Sequence, residues 1–315
     1  MEESIYLVDT TIKTADLVST IHGLPHALDH LHLVRVRFES LSCMSEFVLG
    51  MRNRKINKIT IDSCVMTYVH LAQIVEMLET FSTTALSLVN MSLDDRMCEV
   101  LSVFGSSLTH LNVAHNLITE RGLEFFLGMK LSFLDVSSNP ISSFTRWMDL
   151  FHTTKTLSLR GCFLSSREHF LQFCESVSGV EWNLNTLDLS NNRLDSYMTA
   201  RFLFTSGRAR IDCLWLCDNM IGNDVSDSLM RSKHIRNVYL DRNVNFTDEG
   251  LRQVIDKYTN SNIGHVSVRG CSVSSVLVRM LEEMNMCHRA IPEIDLWLKK
   301  IPLVPGLKSM FKEFL

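Results

Sequence analysis

Cys213 and Cys217 lie four residues apart in the stretch Ile211–Ile221 (IDCLWLCDNMI), and a pair of thiolates can hold zinc if both sulfurs reach one ion. On a strand the two share the parity of Trp215, so both are expected to face outward with it. An extended chain then sets them about 13 Å apart, too far for one zinc with Zn–S bonds of about 2.3 Å. His30 with His32, and His110 with His115, read as polar histidines scattered over a surface. Arg167-Glu168-His169 lacks a second histidine four residues on. No G-x-x-x-x-G-K-[ST] phosphate loop, G-x-G-x-x-G, G-x-S-x-G or H-E-x-x-H occurs. The expectation is a protein without metal, cofactor or catalysis of its own.

What positions these residues is a repeat. Leu108–Ile118 (LTHLNVAHNLI), Leu131–Ile141 (LSFLDVSSNPI), Leu184–Leu194 (LNTLDLSNNRL) and Ile211–Ile221 each read apolar-x-x-apolar-x-apolar-x-x-Asn-x-apolar. The same paired apolar positions recur at Leu157/Leu159, Val238/Leu240 and Val266/Val268. Towards the N-terminus they recur at Leu86/Leu88, Ile59/Ile61, Leu31/Leu33 and, most degenerately, Ile5/Leu7. Eleven units start between positions 5 and 266, about 26 residues apart on average. The pattern resembles the leucine-rich repeat, L-x-x-L-x-L-x-x-N/C-x-L.

The resemblance implies an α/β fold: a right-handed solenoid, or horseshoe, with parallel strands on the concave face and helices on the convex face. Period-2 alternation points the two strand apolars inward and the residue between them outward. The Asn column (Asn116, Asn139, Asn192, Asn219, Asn243) is expected to satisfy backbone groups where the chain leaves the strand. Cys64, Cys162 and Cys271 stand in the same column and read as buried structural thiols. Thr119-Glu120-Arg121-Gly122-Leu123 and Thr247-Asp248-Glu249-Gly250-Leu251 carry a Thr cap and acids at a helix start. These stretches look like the ribonuclease-inhibitor-like subclass. Units between Leu111 and Leu157 are 23 residues apart, which predicts connections as short as a single helical turn. The solenoid is expected over residues 1–285, and residues 286–315 form a C-terminal cap or tail. In that tail Leu307, Met310, Phe311 and Phe314 share one helix face and are expected to close the last core.

Similar repeats in the Ran GTPase-activating proteins imply an alternative activity through an arginine on a loop leaving an N-terminal strand. Arg37 stands at such a position and Arg193 at a less suitable one, but no specific motif surrounds either. The F-box-like helical module found in ubiquitin-ligase receptors with cysteine-bearing repeats has no counterpart before the first repeat.

Composition narrows the partners. Across 315 residues, 46% hydrophobic and 21% charged side chains exclude global disorder. A net charge of −4 lacks the strongly basic signature of an electrostatic nucleic-acid binder. The acidic start Met1-Glu2-Glu3-Ser4 opens no signal peptide, and no run of eighteen apolar residues suggests a membrane span. Nine cysteines without a spacing framework suit free thiols in a reducing compartment, cytoplasmic or nuclear. A protein partner is therefore expected on the concave face, with neither nucleic acid nor membrane, and with the oligomeric state open. Along that face the outward residues run Tyr6, His32, Thr60, Ser87, Asn112, Asp135, Ser158, Asp188, Trp215, Tyr239 and Ser267. Trp215 beside Tyr239, rimmed by Asp218, Arg236, Asp241, Arg242 and Arg269, has the residue types that dominate interface energetics.

Overall fold

The computed structural model describes residues 3–23, 25–141, 144–163, 166–257, 262–274, 277 and 293–295. The N-terminal units comprise β1 (Glu3–Val8), β2 (Thr11–Ile12), α1 (Thr14–His22), β3 (Ala27–Val34), β4 (Arg37–Phe38), α2 (Leu41–Met51), β5 (Lys55–Asp62), α3 (Tyr68–Glu76) and α4 (Leu78–Phe81). The middle units comprise β6 (Ala85–Val89), α5 (Asp95–Phe104), β7 (His110–Asn112), α6 (Glu120–Phe126), β8 (Phe133–Asp135), α7 (Trp147–Thr153), β9 (Thr156–Ser158) and α8 (Arg167–Ser176). The chain continues through β10 (Asn183–Asp188), α9 (Ser196–Thr205), β11 (Arg210–Trp215), α10 (Val225–Arg231), β12 (Ile235–Tyr239), α11 (Asp248–Lys257), β13 (His265–Ser267) and β14 (Glu293–Asp295).

Apart from the small pair β2–β4, the strands form one parallel sheet in chain order. From β1 to β13 each crossover between neighbouring strands of this sheet carries a helix, so the chain is an α/β solenoid. β14 pairs with β13, carrying the sheet past residue 285. The C-terminal helix expected around Leu307–Phe314 lies outside the described residues.

The core follows from the repeat columns. From Leu31/Leu33 to Val266/Val268 every inward pair is buried, and Ile5 and Leu7 pack partly buried against the same core. The degenerate first unit thus keeps the register of the others, with Tyr6 aligned on His32 and 63% exposed. Where units shorten to 23 residues, the connections hold the seven-residue helices α6 and α7 rather than the single turn expected. Rings fill the space beneath them. Trp147 meets Phe173 edge-on at 5.2 Å, Phe151 packs on Trp182 at 4.6 Å, and Phe173 stacks on Phe202 at 5.8 Å.

Each unit turns off its strand through a left-handed residue: Asp9, Arg35, Ser63, Asn90, His115, Ser138, Gly161, Asn191, Asp218, Arg242 and Gly270, all at φ between 51° and 70°. Such a backbone costs an L-residue energy, so only dense bonding around the turn can hold Arg or Ser there. The next column supplies that bonding. Asn219 Oδ1 accepts from the Asn192 and Leu194 amides, while its Nδ2 donates to the Leu189, Leu216 and Cys217 carbonyls. Asn116 behaves alike, donating to Leu88, Val113 and Ala114 and accepting from Met91 and Leu93.

In the cysteine-bearing units the thiol takes over the link to the preceding unit. Cys64 donates to Leu33 O at 3.2 Å, Cys162 to Val136 O at 3.3 Å and Cys271 to Leu240 O at 3.2 Å. Burial pushes the Cys162 and Cys271 thiols up to about 12, so they remain protonated donors.

Candidate protein-binding face

The outward residues form one continuous row. Parallel pairing aligns Tyr6, His32, Thr60, Ser87, Asn112, Asp135, Ser158, Asp188, Trp215, Tyr239 and Ser267 across successive strands. Trp215 and Tyr239 stack face to face, with centroids 3.9 Å apart and planes within 8°. Strand spacing of about 4.8 Å brings the two Cα atoms close enough for such a stack. Each ring covers one face of the other, and both remain half-exposed. His265 lies 5.3 Å from Tyr239 and tilts against it.

Of the flanking residues, Asp218 and Arg242 come together. Arg242 grips both carboxylate oxygens of Asp218, its Nη2 at 2.6 Å from Oδ2, and Arg160 Nη2 reaches the same oxygen at 3.0 Å. The Arg242 guanidinium first, then its charge and that of Arg160, hold the Asp218 carboxyl below the usual carboxylate range. Arg269 is half-buried, its amide bound to Asp241 Oδ1 at 2.9 Å. Arg236 is exposed at the start of β12, about 10 Å before Tyr239 along the strand. The predicted rim therefore splits, with Arg236 on the strand-start side and Asp218 and Arg242 on the exit side.

Three expectations are corrected. Asp241 is not a rim acid: only 9% exposed, it accepts from the Ser267 hydroxyl at 2.5 Å and holds the next turn. Ser267, expected outward, is 1% exposed through that bond and the packing around it. Cys217, expected outward, is buried, because the strand ends at Trp215 and the chain then turns inward. Its thiol donates to Tyr239 O at 3.6 Å, and burial pushes it up to about 11. Cys213 alone of the pair stays half-exposed, on the outer face. Among the described residues no group of three or more His, Cys, Asp or Glu side chains is placed to hold a metal ion.

Other residues of the face were not singled out from the sequence. His265 and Arg160 fall two positions before Ser267 and two after Ser158, so following the outward parity one step further along each strand finds both. At the other end Tyr6 stacks on His32 at 4.2 Å, and His30 tilts against His32 at 3.4 Å. His30 Nε2 lies 2.8 Å from the Thr60 hydroxyl. Desolvation, then the charges of His32 and Lys58, lower His30 to about 4. Arg37 is exposed on β4, next to a pocket that it lines with Asp9, Thr11, Arg35 and Ser63. Arg193 is exposed and left-handed, at φ 54°.

Two stretches match leucine-rich-repeat families, residues 106–127 and residues 183–202. No curated protein sequence matches the chain at a significant level. Among solved structures, a chain of the yeast Rad7–Elc1 complex is 12% identical, with a TM-score of 0.50 over 97% of this chain and 73% of that one. The internalin InlF of Listeria monocytogenes str. 4b F2365 is also 12% identical, with a TM-score of 0.49 over 96% of this chain and 88% of that one. Among the described residues no helix is long and apolar enough to cross a membrane. The two matched stretches, the ladder of asparagines and thiols and the parallel sheet in chain order together make this chain a leucine-rich repeat protein.

Proposed function

We propose that the chain is a protein-interaction module without catalysis of its own, its partner seated on the concave sheet face over β11 and β12. The observation that carries this reading is the half-exposed Trp215–Tyr239 stack with Arg236 on one side and Arg242 on the other. Aromatic side chains with few rotors, already stacked in the free protein, lose little conformational entropy on binding. Arg269 and the Asp218–Arg242 pair supply the polar margin, and Asp241 holds the backbone beneath it. The described cysteines are all free and mostly buried, which supports a reducing compartment, cytoplasmic or nuclear.

The test is affinity purification from the native cell with wild type and the Trp215→Ala/Tyr239→Ala double variant, each checked for folding by circular dichroism. Partners lost from a folded variant support the reading. Partners retained in full sink it.

The second reading is GTPase activation of the Ran type through Arg37, supported by that side chain's exposure beside an open pocket. It requires Arg37→Ala to abolish stimulated GTP hydrolysis while Trp215→Ala leaves it intact.

A further inference from the structure

Resting on the concave-face reading, we propose that the strand-start rim of β9–β12 receives an acidic segment of the protein partner.

The chain as a whole is acidic, at −4, yet this rim is not. Lys155 precedes β9, Arg210 opens β11, and Lys233 and Arg236 flank the start of β12; all four are exposed. Register places Lys155, Asn185, Asp212 and Arg236 side by side on successive strands, three residues before the outward row. The two outer cations of that series are then about 14 Å apart, three strand spacings. Arg210 reaches Asp212 only at 3.9 Å. Lys155, Lys233 and Arg236 have no ion pair among the described residues.

A pocket opens between these cations, lined by Lys155, Asn183, Asn185, Arg210 and Asp212. The two side-chain amides add donors to the two cations, and one carboxylate opposes them, so the lining favours anionic oxygens. An extended segment spaces alternate side chains by about 7 Å, so carboxylates two and four residues apart span the distance from Lys155 to Arg236. The same segment would run across the strands about 10 Å before Trp215 and Tyr239, on the same sheet face, which makes the rim an extension of the aromatic site. Unneutralised cations chiefly raise the association rate and select against basic competitors. A protein acid is favoured over nucleic acid because opposite-sign Asp212 stands within the row, where a continuous phosphate backbone would meet it.

The test uses the full chain and fluorescein-labelled decaglutamate, read by fluorescence anisotropy at low and moderate salt. Wild type should bind with an affinity that falls as salt rises. Lys155→Glu/Arg236→Glu should weaken binding by about tenfold or more, because two attractive contacts become repulsive. A control reversal on the helix side, Arg201→Glu/Arg252→Glu, changes the net charge equally and should leave binding within about twofold of wild type.

Equal losses in both variants would overturn the proposal, since overall charge alone would then explain the binding. Tighter binding of a labelled ten-nucleotide oligouridylate than of decaglutamate would also overturn it. Retention of every native partner by a folded Lys155→Glu/Arg236→Glu variant would overturn it as well. The concave-face reading fails separately, if the aromatic double variant keeps its partners.

Discussion

Arg242 and Asp218 occupy the same left-handed turn position in successive repeats, and the guanidinium of one holds both carboxylate oxygens of the other. The relation recurs at the opposite end, where Arg35 Nε and Nη2 reach the two Asp9 oxygens at 2.5 and 2.7 Å. A column constrained by its backbone thus carries cross-repeat pairs of matching geometry near both ends of the sheet.

Asp218→Asn keeps a residue tolerant of φ 56° but removes the charge. It should cost about 1 kcal/mol at pH 7, since the carboxylate is partly buried and doubly paired. The fold depresses the Asp218 pKa, so its contribution is present above the unfolded value near 3.8 and is lost as pH falls through the lower folded value. Urea titrations of both proteins at pH 7 and under strong acid should show the gap closing in acid.

His115 tests the turn itself, being exposed at φ 56°. His115→Gly should be neutral or stabilising by up to about 1 kcal/mol, whereas His115→Val should cost about 1–2 kcal/mol, because a branched Cβ fits the left-handed region poorly. Denaturation midpoints of the pair read this directly, and equal midpoints would contradict the assignment.

The ladder column predicts a graded series. Asn219→Ala leaves two amides and three carbonyls of the buried turn short of their partner and should cost about 3 kcal/mol or more. Asn219→Cys should cost less, because a buried thiol at Cys162 already makes the equivalent bond to the preceding unit. Chemical denaturation ranks the two, and a Cys variant no better than Ala would show that the thiol bond contributes nothing.

His30 should titrate near pH 4 in the folded protein, visible as a late imidazole shift by NMR. Its folded pKa lies below the value of about 6.5 for an exposed histidine. The unfolded chain therefore takes up the proton first, and stability falls as pH drops from the unfolded towards the folded value. His30→Gln removes that slope while keeping a polar partner for Thr60. Identical pH dependence in the two proteins would contradict it.

The inward pairs and the outward row were legible in the sequence because strand parity is strict, and one anchored Leu-x-Leu fixes every neighbour. Even Tyr6 and His32, in the most degenerate units, fall where that parity puts them. The left-handed column was not legible. Asp9, Arg35, Ser138 and Gly161 share a backbone conformation and no side-chain chemistry. Asp241 and Cys217 depart from the outward parity for a related reason: both lie past the end of their strand, where the chain has already begun to turn. The short units hold longer helices than their 23-residue spacing suggests, because that spacing still accommodates two turns when bulky rings fill the layer beneath.

The column that joins the repeats is not uniform along its length. Asn139 and Asn192 bind their neighbours through several amide and carbonyl contacts, whereas Cys162 between them offers a single donor, shared weakly with Arg160 O. A thiol is a weaker donor than an amide, so fewer and weaker bonds tie the repeats together at that unit. The same single thiol bond recurs at Cys64 and Cys271, so the looser joins fall near both ends of the sheet as well as at its middle.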